Sequence, residues 1–150
     1  MYVVDASVHV ADMRPSEPHH PEARAFLDQV RSDHDSAYGP IIVLAEVAAG
    51  VSRGTGQPGL ARRLTDLLRR VPNFTFVSVD EVLGQQAAEI AAVYQIRGCD
   101  SVYVALAQQL GATLITLDSE QRQRAPASVL AQTPSEALSA IGARRAGGMT

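Results

Sequence analysis

Four acidic residues lie within or directly beside apolar runs, where a folded chain buries its side chains. They are Asp5, Glu46, Asp100 and Asp118. Glu46 is the only polar residue between Ile41 and Val51. Burying an ionised carboxylate costs free energy unless a counter-charge or a metal ion compensates it. Because the chain has no lysine and few arginines near these runs, we expect a fold that gathers the acids around a divalent cation.

The length and composition predict one ordinary globular domain. The chain has 150 residues, of which 46% are hydrophobic and 19% charged, enough for a single buried core. No apolar stretch reaches the roughly 20 residues that span a bilayer, so we expect a cytoplasmic protein without membrane association. The single Cys99 cannot form an internal disulfide, and we expect it to be a small buried hydrophobe.

Short apolar runs alternate with amphipathic segments along the chain, which predicts an α/β fold. Strands are expected near 1–4, 36–39, 74–79, 112–117 and 129–131. Helices are expected near 6–12, 22–32, 41–53, 60–71, 81–95, 100–110 and 134–141, with Pro40 as a first helical residue and Asp100 as an N-cap. Strands that are apolar throughout are typical of a parallel sheet covered by helices on both faces. The predicted domain covers residues 1–142, with four to five parallel strands and a flexible tail over 143–150.

The segment from Asp100 to Asp118 predicts that these two acids are neighbours. Ten helical residues advance about 15 Å, and five extended residues return about 17 Å. A helix packed antiparallel to its following strand therefore brings Asp118 back level with Asp100. Asp5 lies at the same edge of the sheet if its strand is parallel to that one. Glu46 is expected a turn or two inside its helix, on a face that must be buried.

Several carboxylates within a few ångströms of each other cannot all stay ionised without a cation. Oxygen ligands of this kind suit Mg²⁺ or Mn²⁺, which can activate water for attack on a phosphodiester. Each acid also has a structural alternative. Asp5 and Asp100 could be helix N-caps, Asp118 could open a turn, and Glu46 could pair with a buried arginine.

Four stretches of the chain resemble the PIN-domain nucleases, specifically the small VapC-type toxins of toxin–antitoxin pairs. They are YVVDASV (2–8), PIIVLAEVAAGVSR (40–53), CDSVYVALAQQLGATLITLD (99–118) and TPSEAL (133–138). The resemblance implies a three-layer α/β/α, PIN-like domain and a ribonuclease that cuts RNA. It also implies that Asp5, Glu46, Asp100 and Asp118 coordinate Mg²⁺ or Mn²⁺. A cognate antitoxin and a homodimer are expected on the same ground.

Further residues are candidates for contacts around that site. Ser7 and Thr116 match hydroxyl positions of the family, and are expected to support the acids or to contact phosphate. Arg122 and Arg124 follow the last acid and are candidate RNA contacts, ahead of Arg14, Arg53 and Arg97. Glu120 could add a ligand but is favoured as a solvated residue, as is the arginine-rich face made by Arg62, Arg63, Arg69 and Arg70. His9 could face the mouth of the site.

Two other functions share the acidic site. A non-catalytic binding module on the same fold is one, although a complete set of four acids argues against it. An enzyme that transfers phosphoryl groups through aspartate is the other. Enzymes and domains of this kind include receiver domains and haloacid-dehalogenase-like phosphatases. Both are disfavoured, because receiver domains need a lysine, which the chain lacks, and these phosphatases need an aspartate where Ser7 stands.

Overall fold

Five short strands and eight helices alternate along residues 1–147, the part of the chain that the structure, a computed structural model, describes. The strands are β1 Tyr2–Val4, β2 Ala37–Pro40, β3 Phe74–Val77, β4 Thr113–Ile115 and β5 Ala131–Gln132. The helices are α1 Ala6–Met13, α2 His20–Ser32, α3 Val43–Thr55, α4 Pro58–Leu68, α5 Glu81–Tyr94, α6 Gly98–Leu110, α7 Ser119–Arg124 and α8 Pro134–Gly147.

The strands form one parallel sheet in the order β3-β2-β1-β4-β5. β1 lies at its centre, with Tyr2 opposite Ala37 on one side and Thr113 on the other. Every pair is parallel, because a helix connects each strand to the next and carries the chain back to the same end of the sheet. The predicted parallel sheet of four to five strands is therefore confirmed.

Helices cover both faces of this sheet, and β1 contributes side chains to both sides. Val3 belongs to the core formed with α3, α4, α5 and α6. Tyr2 and Val4 belong to the opposite core, formed with α1, α2 and α8. Alternate side chains of a strand point to opposite faces of the sheet, so a strand that is apolar throughout has both of its faces buried. The predicted three-layer α/β/α architecture is confirmed.

The beginning of α3 differs from the prediction. Pro40 ends β2 instead of starting the helix, and the Ile41 N–H continues the ladder by donating to the Val77 carbonyl at 2.8 Å. The helix begins at Val43, so Glu46 lies in its first turn rather than a turn or two inside. A proline at the end of a strand is compatible with the ladder there, because its ring only removes a donor that the strand end does not use.

The C-terminal part of the chain also differs from the prediction. α8 does not end near residue 141 but continues to Gly147. Arg144 donates to the Tyr2 hydroxyl at 3.0 Å, and Arg145 pairs with Asp33, so these contacts hold the last turns against the rest of the domain. The remainder of the predicted tail, 148–150, lies outside the described residues. None of the helices within residues 1–147 has the length and apolar character needed to cross a membrane.

Candidate active site

The four acids predicted from the sequence line one open cleft of about 350 Å³ at the carboxyl end of the sheet. Asp5 follows β1 directly, and Asp118 lies three residues beyond β4. Glu46 and Asp100 stand in the first turns of α3 and α6. Ligand sites of open parallel sheets form at this end because the loops that follow the strands meet there.

Asp5 is the most deeply buried of the four, with 5% of its surface exposed. It caps α1, since its Oδ2 accepts a hydrogen bond from the Ser7 N–H at 2.9 Å. The pKa of Asp5 is raised from 3.8 to about 6, with burial as the largest cause. The hydrogen bonds from Ser7 lower this pKa, and the charges of Asp100 and Glu46 add to the rise. Asp5 is thus both a helix cap, as the structural alternative predicted, and a member of the cleft.

Glu46 accepts a hydrogen bond from the hydroxyl of Tyr103, which is itself fully buried. Burial raises the pKa of Glu46, the Tyr103 bond opposes this rise, and the charge of Asp100 adds to it. The predicted alternative, a buried ion pair with an arginine, is not found within residues 1–147, so the partner of Glu46 there is a neutral phenol.

Asp100 and Asp118 share one arginine. Arg97 donates from Nε to Asp100 Oδ2 at 2.7 Å and from Nη2 to Asp118 Oδ2. α6 begins at Gly98, one turn earlier than predicted, so Asp100 is not its N-cap. Asp118 caps α7 through its Oδ1, which accepts from the Gln121 N–H at 2.9 Å. Burial raises the pKa of Asp100, while Arg97 lowers it.

The donor chemistry of the cleft fits a hard divalent cation, since its four acids present only carboxylate oxygens. Their spacing is looser than a closed metal site. Within residues 1–147, no group of three or more His, Cys, Asp or Glu side chains is arranged to hold an ion. The cation found between two of the acids is the Arg97 guanidinium. These carboxylates therefore do attract a cation, and Arg97 stands in for one at Asp100 and Asp118.

The sequence model of the PIN domain matches residues 2–126, which include all four acids. The chain belongs to the PIN domain family. No curated protein matches it. The matched range ends before β5 and α8, so the last strand and the last helix of this PIN domain are known from its structure.

Solved structures share this fold along most of the chain. VapC20 of Mycobacterium tuberculosis, described as a Sarcin-Ricin loop cleaving toxin, has a TM-score of 0.72 and 18% identity over 87% of this chain and 99% of its own. VapBC2 of Rickettsia felis, bound to a DNA fragment from its promoter, has a TM-score of 0.68 and 17% identity over 88% and 97%. A toxin–antitoxin complex of Klebsiella pneumoniae has a TM-score of 0.63 and 16% identity over 89% and 98%. At these identities the likeness shows the fold.

The two predicted hydroxyl residues hold the backbone beside the acids of the PIN domain. The Ser7 hydroxyl accepts from the Leu117 N–H at 3.1 Å, which ties the start of α1 to the segment after β4. The Thr116 hydroxyl accepts from the Asp118 N–H at 3.0 Å. Thr116 is completely buried, so the predicted alternative of a phosphate contact is wrong for it. Ser7 does line the cleft.

The arginines that line the acid cleft are Arg53 and Arg97, not the first candidates Arg122 and Arg124. Arg122 pairs with Glu136 at 3.0 Å and lines an adjoining pocket of about 320 Å³. Arg124 pairs at 2.7 Å with Glu120. Glu120 is therefore a surface residue outside the cleft lining, in agreement with the prediction of a solvated residue.

Tyr103, Glu17 and His19 belong to the site but were not predicted. A tyrosine inside an apolar run needs a partner for its hydroxyl, and the spacing of three residues from Asp100 could have identified it. Glu17 and His19 line the cleft from the proline-rich loop before α2, where the sequence carries no signal of their position. His19 and Leu117 also line the adjoining pocket, so the two depressions are neighbours.

Two minor predictions about the site were wrong. Cys99 is exposed in the first turn of α6, not buried, because that helix begins two residues before Asp100 and turns this position outward. His9 does not face the mouth. It is 3% exposed and packs edge-on against Phe74 at 5.1 Å, and burial lowers its pKa to about 4.

Proposed function

We propose that this PIN domain is a Mg²⁺- or Mn²⁺-dependent endoribonuclease of the VapC type, which hydrolyses RNA phosphodiester bonds. The observation that carries the proposal is the single cleft lined by Asp5, Glu46, Asp100 and Asp118, in a chain of the PIN family. Four acids from four separate segments serve no common structural purpose, since only Asp5 and Asp118 cap helices.

The chain's own residues would hold the ion and keep its ligands in position. Asp5 is buried and Glu46 is partly buried, and neither forms an ion pair with an arginine within residues 1–147. Ser7 fixes Asp5 through its N–H, and Thr116 fixes the backbone at Asp118. The chemistry that a bound divalent ion supplies is the activation of water and the stabilisation of negative charge on the phosphodiester.

Several features support a nucleic-acid substrate despite the net charge of −3. Arg53 lines the cleft, and the adjoining pocket adds Arg122 together with the hydroxyl residues Ser119 and Ser135. The two neighbouring depressions together offer a path for an extended single strand, with phosphates facing arginines. RNA, rather than DNA, is proposed by likeness to VapC20, which is described as a Sarcin-Ricin loop cleaving toxin.

A cognate antitoxin that silences the enzyme is part of the proposal. It is supported by the structural neighbour from Klebsiella pneumoniae, which is described as a toxin–antitoxin complex. We also propose a cytoplasmic homodimer. Large apolar side chains are exposed along α5, with Val82 and Val93 each more than half exposed, which supports a contact surface there.

RNA cleavage assays test the proposal directly. Asp100→Asn and Glu46→Gln are each expected to reduce the cleavage rate with Mn²⁺ by at least about 100-fold, because each removes a charged ligand. The matched control is Asp66→Asn, which makes the same change on the exposed side of α4 and should keep full activity. Full activity in excess EDTA, or in either cleft variant, would overturn the metal-dependent mechanism.

The non-catalytic binding module remains the second candidate, because Arg97 neutralises two of the acids in place of a metal. Calorimetric titration with Mn²⁺ separates the two functions. An ion bound by the wild type but not by Asp5→Asn supports the nuclease, whereas the lack of Mn²⁺ binding by both the wild type and Arg97→Gln supports the module.

A further inference from the structure

One guanidinium engages two of the four acids in the cleft. Arg97 donates a hydrogen bond from Nε to Asp100 and another from Nη2 to Asp118, and in both cases the acceptor is Oδ2. Asp118 has its other oxygen, Oδ1, engaged by the Gln121 N–H. Both oxygens of Asp118 are therefore in use, and only one of them is held by the backbone of its own helix.

The same oxygens are the ligands that a divalent ion needs. A carboxylate oxygen that accepts a short charge-assisted hydrogen bond has its lone pair directed at the donor, and an arginine beside it repels a second cation. A guanidinium and a divalent ion cannot both sit between Asp100 and Asp118.

We propose that Arg97 competes with the divalent ion for Asp100 Oδ2 and Asp118 Oδ2, so that the ion is bound there only after the guanidinium has moved away. Arg97 is in this sense an internal counter-ion of the cleft. The inference rests on the proposed function, because it assumes that the acids bind a metal.

The position of Arg97 allows it to leave. Its side chain is 67% exposed, and it stands at the N-cap of α6 without making a side-chain cap bond. Arg14 and Arg124, by contrast, also donate to the backbone carbonyls of Gly54 and Gln95. The side-chain partners found for Arg97 within residues 1–147 are the two acids, so its movement breaks no packing of the core.

Displacement would couple the ion to the substrate. A guanidinium that is released from Asp100 and Asp118 stays at the lip of the cleft, because its backbone is fixed at the start of α6. There it can donate to a phosphate oxygen, for which the planar arginine group is well suited. Arg97 would then neutralise carboxylates before the ion binds and the RNA backbone afterwards.

Calorimetric titration with Mn²⁺ tests the competition on the purified chain without any activity assay. Arg97→Gln is expected to bind Mn²⁺ at least about tenfold more tightly than the wild type, because a positive charge next to the ion has been removed. The control is Arg145→Gln, which removes the same charge from an arginine on α8 that pairs with Asp33. Its Mn²⁺ affinity is expected to stay within about twofold of the wild type.

Thermal unfolding gives a second, independent readout. In EDTA, Arg97→Gln is expected to melt below the wild type, since Asp100 and Asp118 lose their counter-ion, and Mn²⁺ should raise its Tm by more than that of the wild type. Arg97→Lys keeps the charge but cannot bridge two carboxylates, so we expect an intermediate Mn²⁺ affinity. That variant also serves if the glutamine variant does not fold.

The possible outcomes separate the inference from the proposed function. Equal or weaker Mn²⁺ binding by both Arg97 variants would overturn the competition and leave the metal-dependent nuclease intact. Failure of the wild type and of both variants to bind Mn²⁺ would overturn the proposed function, and the competition with it. Tighter binding by Arg97→Gln, with an intermediate affinity in Arg97→Lys and the Arg145→Gln control unchanged, is the result that the inference requires.

Discussion

The buried carboxylate of Asp5 is expected to destabilise the fold at neutral pH, so Asp5→Asn is expected to make the domain more stable. The carboxyl group is 5% exposed, and burial is the largest cause that raises its pKa from 3.8 to about 6. Asparagine has the same shape, carries no charge and is as good an N-cap, so its side-chain oxygen can still accept from the Ser7 N–H.

The size of the effect follows from this pKa. The rise from 3.8 to about 6 corresponds to about 3 kcal/mol, at about 1.4 kcal/mol per pH unit. Because the folded state holds the proton more tightly than the unfolded chain, Asp5 contributes stability below about pH 4 and loses it as the pH rises through about 6. Asparagine does not titrate. The stability advantage of the variant should therefore grow from about 1.5 kcal/mol at pH 5 to about 3 kcal/mol at pH 8.

Urea unfolding of both proteins between pH 5 and pH 8, in EDTA, measures this difference. All groups that are common to the two proteins cancel in the comparison. Asp80→Asn is the matched control, because Asp80 caps α5 at 2.9 Å from the Leu83 N–H but is exposed, and it should change stability by less than about 0.5 kcal/mol. A difference that does not change with pH, or an Asp5→Asn variant that is less stable at pH 8, would refute the reasoning.

Three further substitutions test other contacts of the site. Tyr103→Phe removes the hydroxyl that donates to Glu46, and is expected to lower the free energy of unfolding by about 1–2 kcal/mol in urea and to slow RNA cleavage. Thr116→Val should cost about 1–3 kcal/mol, because the partly buried Asp118 N–H loses its acceptor, whereas Thr116→Ser should cost less. Arg53→Gln should raise the KM for RNA about 3- to 10-fold and leave kcat nearly unchanged. The slope of the logarithm of RNA affinity against the logarithm of salt concentration should become shallower by about one. The exposed control variant, Arg62→Gln, should leave KM and kcat nearly unchanged. An unchanged KM in Arg53→Gln would exclude a phosphate contact.

The layers and the sheet could be predicted because they depend on patterns that are local in sequence. The run Tyr2–Val4 is buried at every position, as expected of a strand in a sheet that is covered on both faces. The distance from Asp100 back to Asp118 follows from helix and strand rise alone. Element ends were less predictable. The predicted strand over 112–117 is three residues long in the structure, because its last residues turn to place Asp118 over the cleft.

Contacts made through side chains of different segments were beyond the sequence. The spacing of Arg97 and Asp100 is that of an ordinary pair within one helical turn, and it could have been noticed. The second contact of Arg97, to Asp118, depends on how the segment after β4 turns into α7. That helix was missed, since its six residues, SEQRQR, carry no apolar face for a pattern to reveal.

Arg97 changes the electrostatic argument for a metal ion. The prediction began from acids that gather without bases, and at Asp100 and Asp118 the structure supplies a base after all. No ion pair to Asp5 or Glu46 is found within residues 1–147. The raised pKa values of these two carboxyls have burial as their largest cause, and neighbouring acids raise them further. At Asp5 and Glu46 a divalent ion would therefore meet no arginine that is already paired with the carboxylate. At the other two acids the ion has to replace a cation that is already bound.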